Sequence, residues 1–276
     1  MGVEAYADRM DRPDVDRVDT PGEPDTPNAA LRRFRPENAG LEATTRTEAD
    51  AYIAAHAAGH PWLRAIAHAS PEARSVLVSL VRGHGHAVER HEGGVTPAQT
   101  DARVRRLEDP AIGADADRRP GRDAYRAGKT HGCGDYATRI ADPDAFAVCF
   151  TRGVEHPRTR DAFAKPAGPG LAPPSPVRIQ LDVLLGPDGH RYCDGHRLKP
   201  VHEDGRDVAK THRSNWITDH EKHDHGIMPE PESIRLRPDD FKGSVVEFHF
   251  RLNRDKTGWE IATMYVEPPK PHRDSR

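Results

Sequence analysis

Apolar positions change period along this chain, and the change divides it in two. Between residues 45 and 165 they recur at helical spacing. Ala51-Tyr52-Ile53-Ala54-Ala55 follows a capping-box-like Thr47-Glu48-Ala49-Asp50, Pro61-Trp62-Leu63 opens a short helix, and Ser70-Pro71-Glu72 caps a third through Val76, Leu77, Leu80 and Val81. Thr96-Pro97-Ala98-Gln99 supplies an N-cap hydroxyl, a proline at the first helical position and a glutamine at the capping-box position. The helix it starts carries Arg103, Arg105, Arg106 and Glu108 until Pro110 stops it, with Val104 and Leu107 as apolar contacts. A polar loop from Pro110 to Lys129 leads through Lys129–Ile140 into a short strand, and Asp142-Pro143-Asp144 caps a helix through Phe146 and Phe150.

After the proline-rich run 164–176 the period shortens to two. Val177, Ile179, Leu181 and Val183 alternate with other residues as in a half-buried strand, Gly186–Gly189 makes a turn, and a returning strand begins at Arg191. Residues 207–223 read as a helix anchored by Trp216. Val245–Leu252 and Trp259–Val266 form a hairpin around Asn253–Gly258. Strict alternation puts Trp259, Ile261, Thr263 and Tyr265 on one face, with Thr263 and Tyr265 about 7 Å apart. The pattern predicts an α+β domain over residues 45–276, with helices over 45–165 followed by an antiparallel sheet over 175–268.

Composition changes this picture at the N-terminus. Residues 1–44 are rich in Asp, Arg, Pro and Thr with almost no apolar period, and read as a disordered leader or linker. The chain has 276 residues, enough for a core, but only 35% are hydrophobic and 25 are proline, which predicts long irregular connections. A formal charge of -3 gives no whole-chain attraction for a polyanion, so any RNA contact needs a local basic patch. The 3 cysteines, Cys133, Cys149 and Cys193, exclude a rich disulfide framework. No apolar run approaches a membrane span, and the N-terminus lacks the apolar core of a classical signal peptide.

Candidate chemistry concentrates in Gly83–Arg103. Gly-His84-Gly-His86 lets the backbone leave one helix, His91 precedes a Gly93-Gly94 break, and Arg103 stands on the capped helix that follows. An imidazole titrating near neutrality and a guanidinium able to hold two phosphate oxygens are thus set on neighbouring elements.

The order Gly-His86-Ala-x-x-Arg-His91, a glycine-containing link, Val-Thr-x-x-Gln and an arginine resembles the opening of the ribonuclease A-like toxin domains at the C-termini of bacterial contact-dependent inhibition and other polymorphic toxins. Trp259-Glu-Ile-Ala-Thr263-Met-Tyr265 resembles that family's last strand. The resemblance implies a catalytic set of His91, Arg103, Thr263 and Tyr265, with Arg105 and Arg106 as alternatives to Arg103. It implies cleavage of RNA, notably tRNA, by the neighbouring 2′-hydroxyl, leaving 2′,3′-cyclic phosphate and 5′-OH ends without metal or other cofactor. It also implies a protein secreted or delivered into the cytoplasm of a target cell, met there by a cognate immunity protein. His86 and His84 are candidates for a second acid or for substrate contact. Thr138 and Arg139 are candidates for holding a phosphate, against the blander role of tethering their loop.

Two rival classes remain. His190-x-x-Cys193-x-x-His196, His131-x-Cys133 and the trio His220, His223 and His225 offer zinc-type ligands and predict a metal site or metal-dependent nuclease. A non-enzymatic effector that docks on a partner would leave the His91–Arg103 module as a mere helix junction.

Overall fold

Cap chemistry sets most of the helix starts. The computed structural model describes residues 26–33, 45–82, 86–112, 120–126, 128–223, 227–253 and 255–270. Helices α1 (Pro27–Arg33), α2 (Arg46–His56), α3 (Pro61–Ile66), α4 (Pro71–Arg82), α5 (Ala87–His91) and α6 (Pro97–Arg106) come first. The box that opens α2 is Thr45 with Glu48, two residues before the expected one, since both reciprocal hydrogen bonds form there. Thr96 and Gln99 close the expected box on α6. That helix ends before Pro110 is reached, because Leu107 turns left-handed at φ 54 and leaves Glu108 outside.

The expected leader is not featureless throughout. Residues 27–33 form α1, and Leu31 is fully buried against the core, beside helix α7 (Pro143–Glu155). One leucine in a polar stretch carries no period, yet it suffices to seat one short helix. Residues 1–25 and 34–44 lie outside the described residues.

The remaining elements are β1 (Tyr136–Ile140), α8 (Pro157–Phe163), β2 (Val177–Gln180), α9 (Leu181–Leu185), β3 (Cys193–Leu198), β4 (His202–Glu203), β5 (Arg206–Asp207), α10 (Ala209–His223), β6 (Ser233–Leu236), β7 (Val245–Leu252) and β8 (Trp259–Glu267). The fold is α+β with antiparallel sheets, but among the described residues the strands form two three-stranded sheets, β1-β3-β6 and β2-β7-β8, and a two-stranded ribbon, β4-β5. The expected strand from Val177 stops at Gln180, where the chain turns into α9. Leu181 and Leu184 are buried one helical turn apart, and Val183 is 45% exposed. The returning strand β3 therefore pairs with β1 and β6, while β2 pairs with β7.

One main core joins helices and sheets. Trp62 meets Phe146 edge to face at 5.3 Å, and Phe248 of β7 is fully buried beneath α7. Gly153 of α7 sits against that ring so closely that a Cβ would overlap it. Gly153→Ala should overpack this contact and lower unfolding free energy by about 1–3 kcal/mol, read as a lower urea midpoint. An unchanged midpoint would mean that the helix slides aside freely.

The hairpin of β7 and β8 carries the decisive irregularity. His249 faces Thr263, but Phe250 faces Ile261, so Ala262 is an extra residue in β8. Before the bulge Trp259 and Ile261 face the core; after it Met264 and Val266 do. The expected single face is thereby split, and Thr263 and Tyr265 turn away from Trp259 and Ile261. The bulge is pinned from outside, where the His86 amide donates to the Ala262 carbonyl at 3.1 Å.

Candidate functional site

The free edge of β1 and the far face of β8 meet around α5. The two sheets are tied there by the Thr138 hydroxyl, which donates to the Val266 carbonyl at 2.6 Å. His91 closes α5 with its ring in this junction, and its Nδ1 donates to the Thr138 carbonyl at 3.0 Å. That bond fixes the neutral tautomer, leaving the Nε2 lone pair unprotonated. Burial, then the positive charge of Arg103, hold the His91 pKa well below its ordinary value, so the ring is neutral at neutral pH.

Arg103 is turned inward by its place on α6, on the stripe with Thr100 and Val104, and is 6% exposed. Its Nη1 donates to the Arg90 carbonyl at 3.1 Å and approaches His91 Nε2 at 3.4 Å. Its Nε donates to His131 Nε2 at 3.0 Å. Among the described residues no hydrogen bond engages its Nη2. The alternatives are committed elsewhere, Arg105 to Asp101 and Glu230, Arg106 to Glu108 and Glu230.

Tyr265 lays its ring over His91, with centroids 5.5 Å apart and planes 30° apart. Its hydroxyl donates to Glu247 Oε2 at 2.7 Å, and His249 Nε2 stands 3.1 Å from both of those oxygens. Burial and then Glu247 push the phenol well above its usual range. Burial opposes ionisation of Glu247, but hydrogen bonds from Tyr265, Glu267 and His249 outweigh it and hold the carboxyl below its ordinary value. Thr263, opposite His249 in register, keeps a buried hydroxyl oxygen that has no hydrogen-bond partner among the described residues. His91, Arg103 and Tyr265 therefore meet, from α5, α6 and β8, while Thr263 lies two residues before Tyr265 on β8, opposite His249.

The expected phosphate contacts are otherwise engaged. Besides the two bonds of Thr138, Arg139 forks onto Asp194 at 2.6 and 2.8 Å and donates to the Gly93 and Val95 carbonyls, so both residues tether their surroundings. His86 sits beside the cluster with its ring 5.6 Å from Tyr125. Burial, then Arg90 and Arg103, push its pKa down to about 3, so it offers a neutral imidazole rather than a proton at neutral pH. His84 and His225 lie outside the described residues.

Among the described residues the expected zinc-type ligands do not assemble with one another. Cys193 and His196 stand three apart on β3, hence on opposite faces. The thiol of Cys193 is buried toward the Gly189 carbonyl, His196 meets the Thr100 hydroxyl at 2.9 Å, and His190 donates to the Pro187 carbonyl. His220 stacks on Trp216, His223 approaches Asp219 at 3.7 Å, and the Cys133 thiol donates to the Tyr136 carbonyl. His131 parts from Cys133 and joins Asp109 and Asp123, whose ligand atoms lie within 4.8 Å of one another. That trio already surrounds a cation. Arg90 bonds both oxygens of Asp109 and reaches Asp123 at 3.3 Å.

Sequence reasoning missed this buried support and missed Glu247 with His249. The latter had a signal, because polar Glu247, His249 and Arg251 alternate with Val246, Phe248 and Phe250 along β7. The support has a pH signature. Burial, then Arg103, push His131 down from 6.5 to about 4. The unfolded chain thus binds a proton that the fold refuses, and stability should fall as pH drops from 6.5 toward 4. Thermal melts across that range check the sign; a melting temperature rising on acidification would contradict it.

A cavity of about 540 Å³ among Tyr136, Arg197, Lys242 and Lys270 lies beyond the end of β8 and includes none of these groups. Among the described residues no helix is long and apolar enough to cross a membrane. Comparison of the whole chain with known protein families, with curated proteins and with solved structures finds no match in any of the three.

Proposed function

We propose that this chain is a metal-independent RNA endonuclease of the interbacterial-toxin kind. It acts on tRNA in the cytoplasm of a target cell and is neutralised by a cognate immunity protein. The observation that carries the reading is the meeting of His91, Arg103 and Tyr265, from α5, α6 and β8, in one junction, with Thr263 two residues before Tyr265 on the same strand. There His91 Nε2 lies 3.4 Å from Arg103 Nη1 and its ring lies 5.5 Å from that of Tyr265.

In this reading His91 Nε2 takes the proton of a 2′-hydroxyl, and the freed oxygen attacks the adjacent phosphorus. Arg103 Nη2 and the unpartnered Thr263 hydroxyl donate to the nonbridging oxygens as charge builds. The Tyr265 hydroxyl is spent on Glu247, so its contribution is to hold the His91 ring. His249, whose ring stacks on that of Tyr265 at 5.4 Å and whose Nε2 stands 3.1 Å from Glu247 Oε2, gives a proton to the 5′-oxygen as the P–O5′ bond breaks. The products are a 2′,3′-cyclic phosphate and a 5′-OH, and the two imidazoles end with exchanged protonation.

The test is incubation of the purified chain with total tRNA in excess EDTA, followed by analysis of the new ends. Cleavage leaving cyclic phosphate is the expected result. Cleavage only on addition of a divalent ion would favour a metal held by Asp109, Asp123 and His131, with Arg90 displaced. No cleavage of any RNA would favour the docking effector.

A further inference from the structure

A site that cuts RNA must also hold the nucleotides beside the cut, and the surroundings of His91 contain one aromatic placed for it. Tyr125 is 42% exposed, the one aromatic among the exposed large hydrophobic residues of the described chain. It is nevertheless fixed. The guanidinium of Arg90 lies 5.0 Å from its ring centroid and the His86 ring lies 5.6 Å away. Both partners lie on α5 or immediately before it, within five residues of His91. Arg90 connects the two places directly, since its carbonyl accepts from Arg103 Nη1 while its guanidinium backs Tyr125.

We propose that Tyr125 is a stacking platform for an unpaired nucleobase next to the scissile phosphate, so that the substrate is single-stranded or looped RNA. The proposal rests on the nuclease reading and adds its substrate class. A ring held rigidly and left partly open loses little freedom when a base stacks on it. An A-form duplex covers its base faces and shows a protein its backbone and groove edges instead. The plain alternative is that Tyr125 only lids the ion pairs of Arg90.

Two measurements separate these. The native tryptophans Trp62, Trp216 and Trp259 are 1%, 4% and 8% exposed, so Tyr125→Trp adds a solvent-facing fluorophore at the proposed platform. A single-stranded deoxyadenosine oligomer, which lacks the 2′-hydroxyl and cannot be cut, should quench it saturably, and a DNA duplex of equal length should not. In cleavage assays on a single-stranded RNA, Tyr125→Leu should raise KM roughly 5- to 150-fold, with the loss falling on KM rather than kcat. Absence of quenching, equal quenching by the duplex, or an unchanged KM with a lowered melting temperature would overturn the proposal. Should the tryptophan variant fail to fold, KM of the leucine variant decides. If the unmodified chain cuts no RNA, the nuclease reading fails alone, because quenching by the uncuttable oligomer still reports stacking.

Discussion

His91→Ala is expected to slow RNA cleavage by about 10²–10⁴-fold, the usual contribution of a positioned general base. The size follows from how completely the fold prepares this ring. Nδ1 is spent on the Thr138 carbonyl, Nε2 is the only remaining basic atom, and Arg103 and Tyr265 fix its direction. The neighbouring imidazoles are placed otherwise, since the His86 ring packs beside Tyr125 and His131 points both nitrogens into the support. Arg103→Lys should also be severe, because an ammonium cannot bond His131, face His91 and keep a further amino group for phosphate. Rates on a defined single-stranded RNA, with circular dichroism to confirm folding, provide the check. A folded His91→Ala chain that cuts as fast as the unmodified one would remove His91 from the chemistry.

What the sequence discloses here depends on the range of the interaction involved. The Thr96–Gln99 cap and the Asp142 cap are legible because a cap and its partner lie within four residues. The last hairpin is legible because two alternating runs flank one short turn, so its pairing is still local. Leu181–Leu185 is misread because five residues with apolar positions fit either period, and the choice was made by the burial of Leu181 and Leu184 against distant elements. The Ala262 bulge leaves no mark in composition, yet without it Thr263 and Tyr265 would share the core face of Trp259. Motif order is what singles out His91, Arg103, Thr263 and Tyr265 as candidates, whereas Asp109, Asp123 and His131 come from irregular connections where no period exists to reveal them. Sheet membership was equally hidden, as β1 joins strands that follow it by more than fifty residues.

Asp109→Ala is the substitution expected to cost most stability, about 3–5 kcal/mol, because it strands a buried cation. The side chains of Arg90 and Asp109 are 6% and 0% exposed. Asp109 takes Arg90 Nε at 2.8 Å and also accepts the amides of Ala111 and Ala124 at 3.1 and 2.9 Å. Its removal leaves four donors short of an acceptor, counting the second Arg90 nitrogen, and Asp123 at 3.3 Å recovers only part of that loss. Arg90→Leu combined with Asp109→Leu should be far milder than Asp109→Ala, since replacing both charges leaves neither unpaired. Urea midpoints of the three chains test this, and an Asp109→Ala midpoint equal to that of the unmodified chain would show that the pair contributes nothing. The consequence reaches the site through one side chain. His131 stands 3.5 Å from Asp109 and accepts from Arg103 Nε, so a chain that survives Asp109→Ala should also hold Arg103 less firmly. If Arg103 holds the phosphate as proposed, cleavage in that variant should fall even at temperatures where it remains folded, because His131 and Asp109 hold its guanidinium from behind.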